Sequence, residues 1–191
     1  MKITGVETII SSGNKNSNSV LQDIGSEGVM ESDATLLRQL LAKKEESALL
    51  AKADLLQLVI GRFGEEAESM IDNHLKEGVK KWAKETAMLD LKNGRQNNIE
   101  GLIHFLWEPL RTEGFEYSYQ IIDGNCQMKV TKCPVAEIAK RNNIEKWGYK
   151  FSCMNDEPIC EGYNPKIHMK RTRTIMEGHE YCDHFYYMEQ E

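Results

Sequence analysis

The residues of this chain best suited to making or breaking a bond are Cys133, Cys153 and Cys182, with Asp156 and His184 close to them in sequence. All five cysteines fall after residue 125, so any thiol chemistry belongs to the C-terminal third. A thiol attacks an electrophilic carbon when a base stands beside it. Cys133 directly precedes Pro134 and a helical run, where helix N–H groups and dipole favour the thiolate. Cys153 lies three residues before Asp156, a spacing that puts both on one face of a helix. In a strand, Cys182 and His184 share a face, and His168 and His179 are further candidate bases. A second reading is a metal centre: Cys133, Cys153, Cys182 and His168 could hold a zinc or iron ion with an activated water. The seven-residue spacings Cys126/Cys133 and Cys153/Cys160 are not the tight knuckle of structural zinc sites. A third reading makes each thiol a small buried hydrophobe. Cys160, in PICEGYNP, reads as a surface-loop thiol.

The elements that must position these groups follow from hydrophobic period. RTRTIMEGHEYCDHFYY (171–187) reads as strand, tight turn at Glu177-Gly178-His179, and strand. With IHMK before it, this makes a hairpin whose face carrying Cys182 also carries a titratable imidazole. FEYSYQIID and CQMKVTK form another hairpin around Asp123-Gly124-Asn125. Cys133-Pro134 opens a short helix, and a further helical stretch covers residues 145–154. Upstream the apolar residues recur at three- and four-residue steps. Leu36, Leu37, Leu40 and Leu41, continued to Phe63, give a helix capped by Ser32 or Asp33. Ala67 to Thr86 give a second, and Ile99 to Leu106 a third, closed by Pro109. Helices followed by hairpins predict an α+β fold, with long N-terminal helices packed on an antiparallel sheet built from two hairpins. Residues 1–32, rich in Ser, Asn and Gly, read as a mobile arm, and residues 33–191 as one α+β domain.

Composition narrows the partners. With 191 residues there is enough chain for a core, and a net charge of −6 disfavours a phosphate backbone, so no nucleic-acid partner is expected. The basic cluster Lys166, Lys170, Arg171 and Arg173 is local, either a solvated strand face or an anion site. No apolar run is long enough to span a membrane and the N-terminus does not read as a signal peptide. The expected location is the cytoplasm, with reduced thiols. The long helices offer a surface for a homodimer.

Three segments together carry a resemblance: TKCPVAEIAKRNN, the cysteine in GYKFSCMND, and NPKIHMKRTRTIMEGHEYCDHFYY. In this order they resemble the L-2-amino-thiazoline-4-carboxylic acid hydrolase family, specifically over residues 131–188 and in element order from about residue 65. The resemblance implies a hydrolase opening a small cyclic amidine-like carboxylate at a carbon–nitrogen bond. Position by position, its motif falls on Cys133, Cys153, Asp156, Arg171, Thr172, Thr174, Gly178, Cys182 and Asp183. Arg171 or Arg173 would then grip the substrate carboxylate through a planar fork of donors, with Thr172 and Thr174 beside them. The chain departs from the family pattern at His179 and His184. A similar layout occurs in 4-vinyl-reductase-type domains, which implies the alternative of a non-catalytic small-molecule or metal-binding sensor.

Overall fold

The computed structural model describes residues 26–189. The chain divides into two compact units after Lys43. Of the first unit, the described part is the beginning of helix α1 (Ser26–Phe63), where Leu36, Leu37, Leu40 and Leu41 are exposed. The helix therefore starts inside the stretch read as an arm; the rest of that stretch, residues 1–25, lies outside the described residues.

The second unit carries helices, sheet and all the candidate chemistry. α2 (Glu65–Lys92) and α3 (Ile99–Thr112) are followed by β1 (Glu116–Ile122) and β2 (Asn125–Lys132). Then come α4 (Pro134–Arg141), α5 (Glu145–Phe151), a 3-10 turn (Cys153–Asn155), α6 (Asp156–Tyr163), β3 (Ile167–Lys170) and β4 (Cys182–Met188). The strands form one antiparallel sheet in the order β1-β2-β4-β3. The fold is α+β, as the change of period predicts.

Alternation gives the sheet one buried face. Val130 pairs with Cys182, Met128 with His184 and Cys126 with Tyr186, and all six are buried. Leu102, Ile103 and Trp107 of α3 and Ile159, Cys160 and Tyr163 of α6 close over them in one apolar cluster. α2 packs along α6 so closely that a Cβ on Gly162 would lie 2.2 Å from the Lys80 carbonyl oxygen, which no side chain tolerates.

Three local expectations need correction. The second hairpin is not tight: β3 ends at Lys170 and β4 begins at Cys182, so the Arg-Thr-Arg-Thr alternation does not continue the strand. A compact turn fills the gap, with His179 N–H donating to Thr174 O and Gly178 at φ 96°, the positive value expected of it. The segment DEPICEGY is a helix, not a loop, and it buries Cys160 completely. Its Pro158 falls in the first turn, where no intrahelical N–H is lost. Pro109 does not close α3, which runs on to Thr112.

Candidate active site

A cavity of about 260 Å³ opens between α2, α3, α4, the α5–α6 corner and the buried face of the sheet. Cys133, Cys153 and Cys182 all line it, as do Asp156, Arg171 and His184. Three sequence segments thus bring their polar residues to one place.

Each thiol is held by its local backbone. Cys133 is the N-cap of α4, its Sγ accepting from Ala136 N–H at 3.4 Å. Cys182 opens β4 and its Sγ accepts from Ile175 N–H at 3.2 Å. Cys153 begins the 3-10 turn. All five cysteines are free and buried. Burial pushes the Cys133 thiol up to about 11, against the pull of the Ala136 N–H. Burial, then the Asp156 charge, pushes Cys153 up to about 12. Cys182 is also raised, chiefly by burial. The helix start does not make Cys133 a thiolate, because desolvation outweighs one long N–H···S bond.

The polar corner is built from four elements. Asp156 opens α6, Arg171 follows β3, His184 lies on β4 and Tyr149 on α5. Arg171 Nη1 pairs with Asp156 Oδ2 and lies 3.4 Å from His184 Nε2. Its Nη2 donates to the Cys153 carbonyl at 2.9 Å and to Tyr149 Oη at 3.5 Å. Burial works against the arginine's charge, but Asp156 outweighs it and holds the guanidinium protonated. His184 Nε2 is 3.5 Å from Asp156 Oδ2. The imidazole is 3% exposed and its Nδ1 has no hydrogen-bond partner. Its plane is fixed by Tyr186, stacked at 6.0 Å, and by Trp107, edge-on at 5.2 Å. Trp107 in turn donates from Nε1 to Tyr186 Oη at 3.0 Å.

Other expected site residues lie elsewhere. His168 pairs with Tyr187 on the outer face, its ring 5.5 Å from that tyrosine and its Nε2 3.7 Å from Glu189. Strand alternation sets it opposite the face bearing Cys182, so the four-ligand metal set does not assemble. Among the described residues no group of three or more His, Cys, Asp or Glu side chains is placed to hold a metal ion. Arg173 is exposed and donates to Tyr181 Oη at 2.7 Å. Thr172 donates to Asp183 through both N–H and Oγ1. Thr174 is buried and donates to Glu177 at 2.7 Å. These three shape the turn and do not line the cavity, because the chain leaves the sheet after Lys170. Of the four residues expected to bind substrate, Arg171 alone lines it.

Trp107, Tyr149, Asn155 and Glu113 escaped the sequence reading. A buried indole on the apolar face of α3 needs an acceptor, which was a usable signal for Trp107. Tyr149 lies on α5 and Glu113 is the C-cap of α3, and only the packing of those helices brings them to the site, which left no local signal.

No described helix is long and apolar enough to cross a membrane. No curated protein and no solved structure matches this chain. A model of the L-2-amino-thiazoline-4-carboxylic acid hydrolase family matches residues 42–186, reaching further upstream than the motif-bearing segments.

Proposed function

Because the chain belongs to the L-2-amino-thiazoline-4-carboxylic acid hydrolase family, we propose that its cavity hydrolyses a carbon–nitrogen bond of a small cyclic amidine. The reference substrate is 2-aminothiazoline-4-carboxylate. The observation carrying this reading is the Asp156–His184 pair, whose Nε2–Oδ2 separation of 3.5 Å leaves Nδ1 unpartnered on a residue lining the cavity. A buried polar atom without a partner costs roughly 1–3 kcal/mol, and a water or ligand atom would supply that partner.

With Nε2–H directed at Asp156, His184 Nδ1 is a base. It takes a proton from water as the water oxygen bonds to the amidine carbon and the C=N electron pair moves to the ring nitrogen. The imidazolium then gives its proton to that nitrogen. His184 then takes the adduct's hydroxyl proton as the carbonyl forms and returns it to the ring nitrogen, so the carbon–nitrogen bond breaks with that nitrogen leaving as an amine, the ring opens, and one water has been added across it. Asp156 steadies the transient imidazolium, and Arg171 fixes Asp156 in place. The thiols are protonated at neutral pH, since Cys133 and Cys153 stand near 11 and 12. That favours water over a thiolate as the nucleophile, with the sulfurs as soft walls.

The test is turnover of 2-aminothiazoline-4-carboxylate with mass spectrometry of the quenched enzyme. Ring opening with no protein adduct is expected, with His184→Phe inactive and Cys133→Ser, Cys153→Ser and Cys182→Ser active. A covalent adduct on one of these thiols, or undiminished turnover by His184→Phe, sinks the water route. Binding without turnover by the wild type leaves the sensor reading standing.

A further inference from the structure

Most of the cavity wall is apolar. Val79, Trp82, Leu110, Phe115, Val135 and Phe151 line it together with the polar corner of Asp156, Arg171 and His184. Among the lining residues the one cation is Arg171, and it is already engaged. Either edge of a guanidinium that could fork a carboxylate uses at least one Nη nitrogen. Here Nη1 serves Asp156, with His184 Nε2 closing off its other side at 3.4 Å, and Nη2 serves Cys153 O and Tyr149. Two carboxylates line the same cavity, Asp156 and Glu113. Glu113 stands at the exposed rim, its carboxyl raised by partial burial and by the charge of Glu45. An entering carboxylate would meet the Glu113 anion, an Asp156–Arg171 pair whose charges offset one another, and no unengaged cation, losing its hydration without a partner. An amidinium would instead meet an acidic rim and aromatic faces, both of which attract cations.

From this juxtaposition of an apolar wall, an acidic rim and an engaged arginine, we propose that the site takes a cyclic amidine with an apolar body and no carboxylate. This rests on the hydrolase reading above and specifies its substrate class. The amidine carbon lies at the Asp156–His184 corner and the apolar substituent lies along Trp82 and Phe115. The family's carboxylate-bearing substrate, though still opened, is then the weaker ligand and the slower substrate for this member.

Calorimetric titration of the full chain with 2-amino-4-phenylthiazoline and with 2-aminothiazoline-4-carboxylate tests the assignment. The phenyl compound binds at least about tenfold tighter. Trp82→Ala, a change at a half-exposed rim residue, weakens phenyl binding and leaves the carboxylate compound unaffected. Glu113→Lys, also at the rim, weakens the phenyl compound and improves the carboxylate. Equal or tighter binding of the carboxylate by the wild type overturns the proposal, as does the absence of binding by both. Turnover separates this from the reaction itself. If the carboxylate compound is the better substrate by kcat/KM, the substrate class fails while the hydrolase reading stands. If the phenyl compound binds tightly and is never opened, the hydrolase reading fails while the ligand class stands.

Discussion

Asp156 and Asp183 grip the same short stretch of chain from opposite sides, and they do so in different ways. Asp183, on the outer face of β4, accepts from Thr172 N–H at 2.9 Å, Thr172 Oγ1 at 2.6 Å and Arg173 N–H at 2.6 Å. Its oxygens are filled by backbone and hydroxyl donors ten and eleven residues back along the chain, so it is a fastener for the turn. Asp156 meets Arg171 one residue earlier, from the helical layer, and also faces a buried imidazole. Saturation by neighbouring donors marks a carboxylate that shapes the chain. A carboxylate shared between a cation and a titratable ring on a cavity wall can still change its hydrogen bonds during a reaction. Both residues lie within the span that the family model matches, and geometry separates their roles.

The largest expected difference is in turnover. Asp156→Asn keeps the shape but removes the charge behind His184, and a loss of about 10²–10⁴-fold is expected. Asp183→Asn leaves turnover within a few-fold, because its partners lie outside the cavity. Steady-state rates on protein checked for folding by thermal melting decide this. Comparable losses for the two variants would break the comparison and make the turn part of the chemistry.

Stability in acid sharpens it next. Burial tends to raise the Asp183 carboxyl, but the donors on Thr172 and Arg173 outweigh that and hold it below its ordinary value. A carboxyl lowered on folding contributes stability that is fully present above the unfolded value, about 3.9. That contribution is lost as pH falls through the lower folded value. Each hydrogen bond contributes about 0.5–1.5 kcal/mol, toward the low end at a site this open to solvent. At pH 7 Asp183→Asn melts below wild type, and the gap closes as pH falls under about 4. A gap that persists unchanged to pH 2.5 would show that charge is not how Asp183 fastens the turn.

How far the sequence already carried these distinctions depends on range. The buried face of β4 was legible, because Cys182, His184 and Tyr186 alternate; their pairing to Val130, Met128 and Cys126 was not, since period alone leaves register open. The gathering of Cys133, Cys153 and Cys182 was legible too, as it falls out of an antiparallel sheet with helices on one side. The turn over 171–181 was not legible. Arg-Thr-Arg-Thr alternates like a strand, and only the Asp183 carboxylate, reaching back across the turn, overrides that local pattern. Helix α6 was hidden by Pro158 and Gly162, which read as loop residues. The first is harmless in an opening turn, and the second is demanded by the Lys80 backbone of another helix. His168 went astray because alternation sorts residues into two faces without saying which face meets the cysteines.

The smallest expected effect belongs to Arg173, and it tests the comparison from the other end. Arg171 and Arg173 are two residues apart and chemically identical, yet one is buried against Asp156 while the other is exposed. Arg173 makes a 2.7 Å bond to Tyr181 Oη and its guanidinium stands 5.3 Å from the centre of that ring, which Lys129 also approaches at 4.3 Å. Those contacts are in water, where they contribute little, and Asp183 holds the Arg173 backbone N–H whatever the side chain is. Arg173→Ala should therefore shift stability by no more than about 0.5 kcal/mol and leave both turnover and ligand affinity unchanged. Arg171→Ala is the opposite case, since it leaves the Asp156 carboxylate without its cation beside a deeply buried imidazole. Removing one member of such a pair costs about 3–5 kcal/mol, so Arg171→Lys, which keeps the charge and loses the fork, is the cleaner partner variant. Kinetics and melting of Arg173→Ala beside Arg171→Lys give the contrast directly. Loss of affinity for a carboxylate-bearing ligand in Arg173→Ala would show the turn arginine reaching the substrate, and the division between fastening turn and reactive corner would fail there.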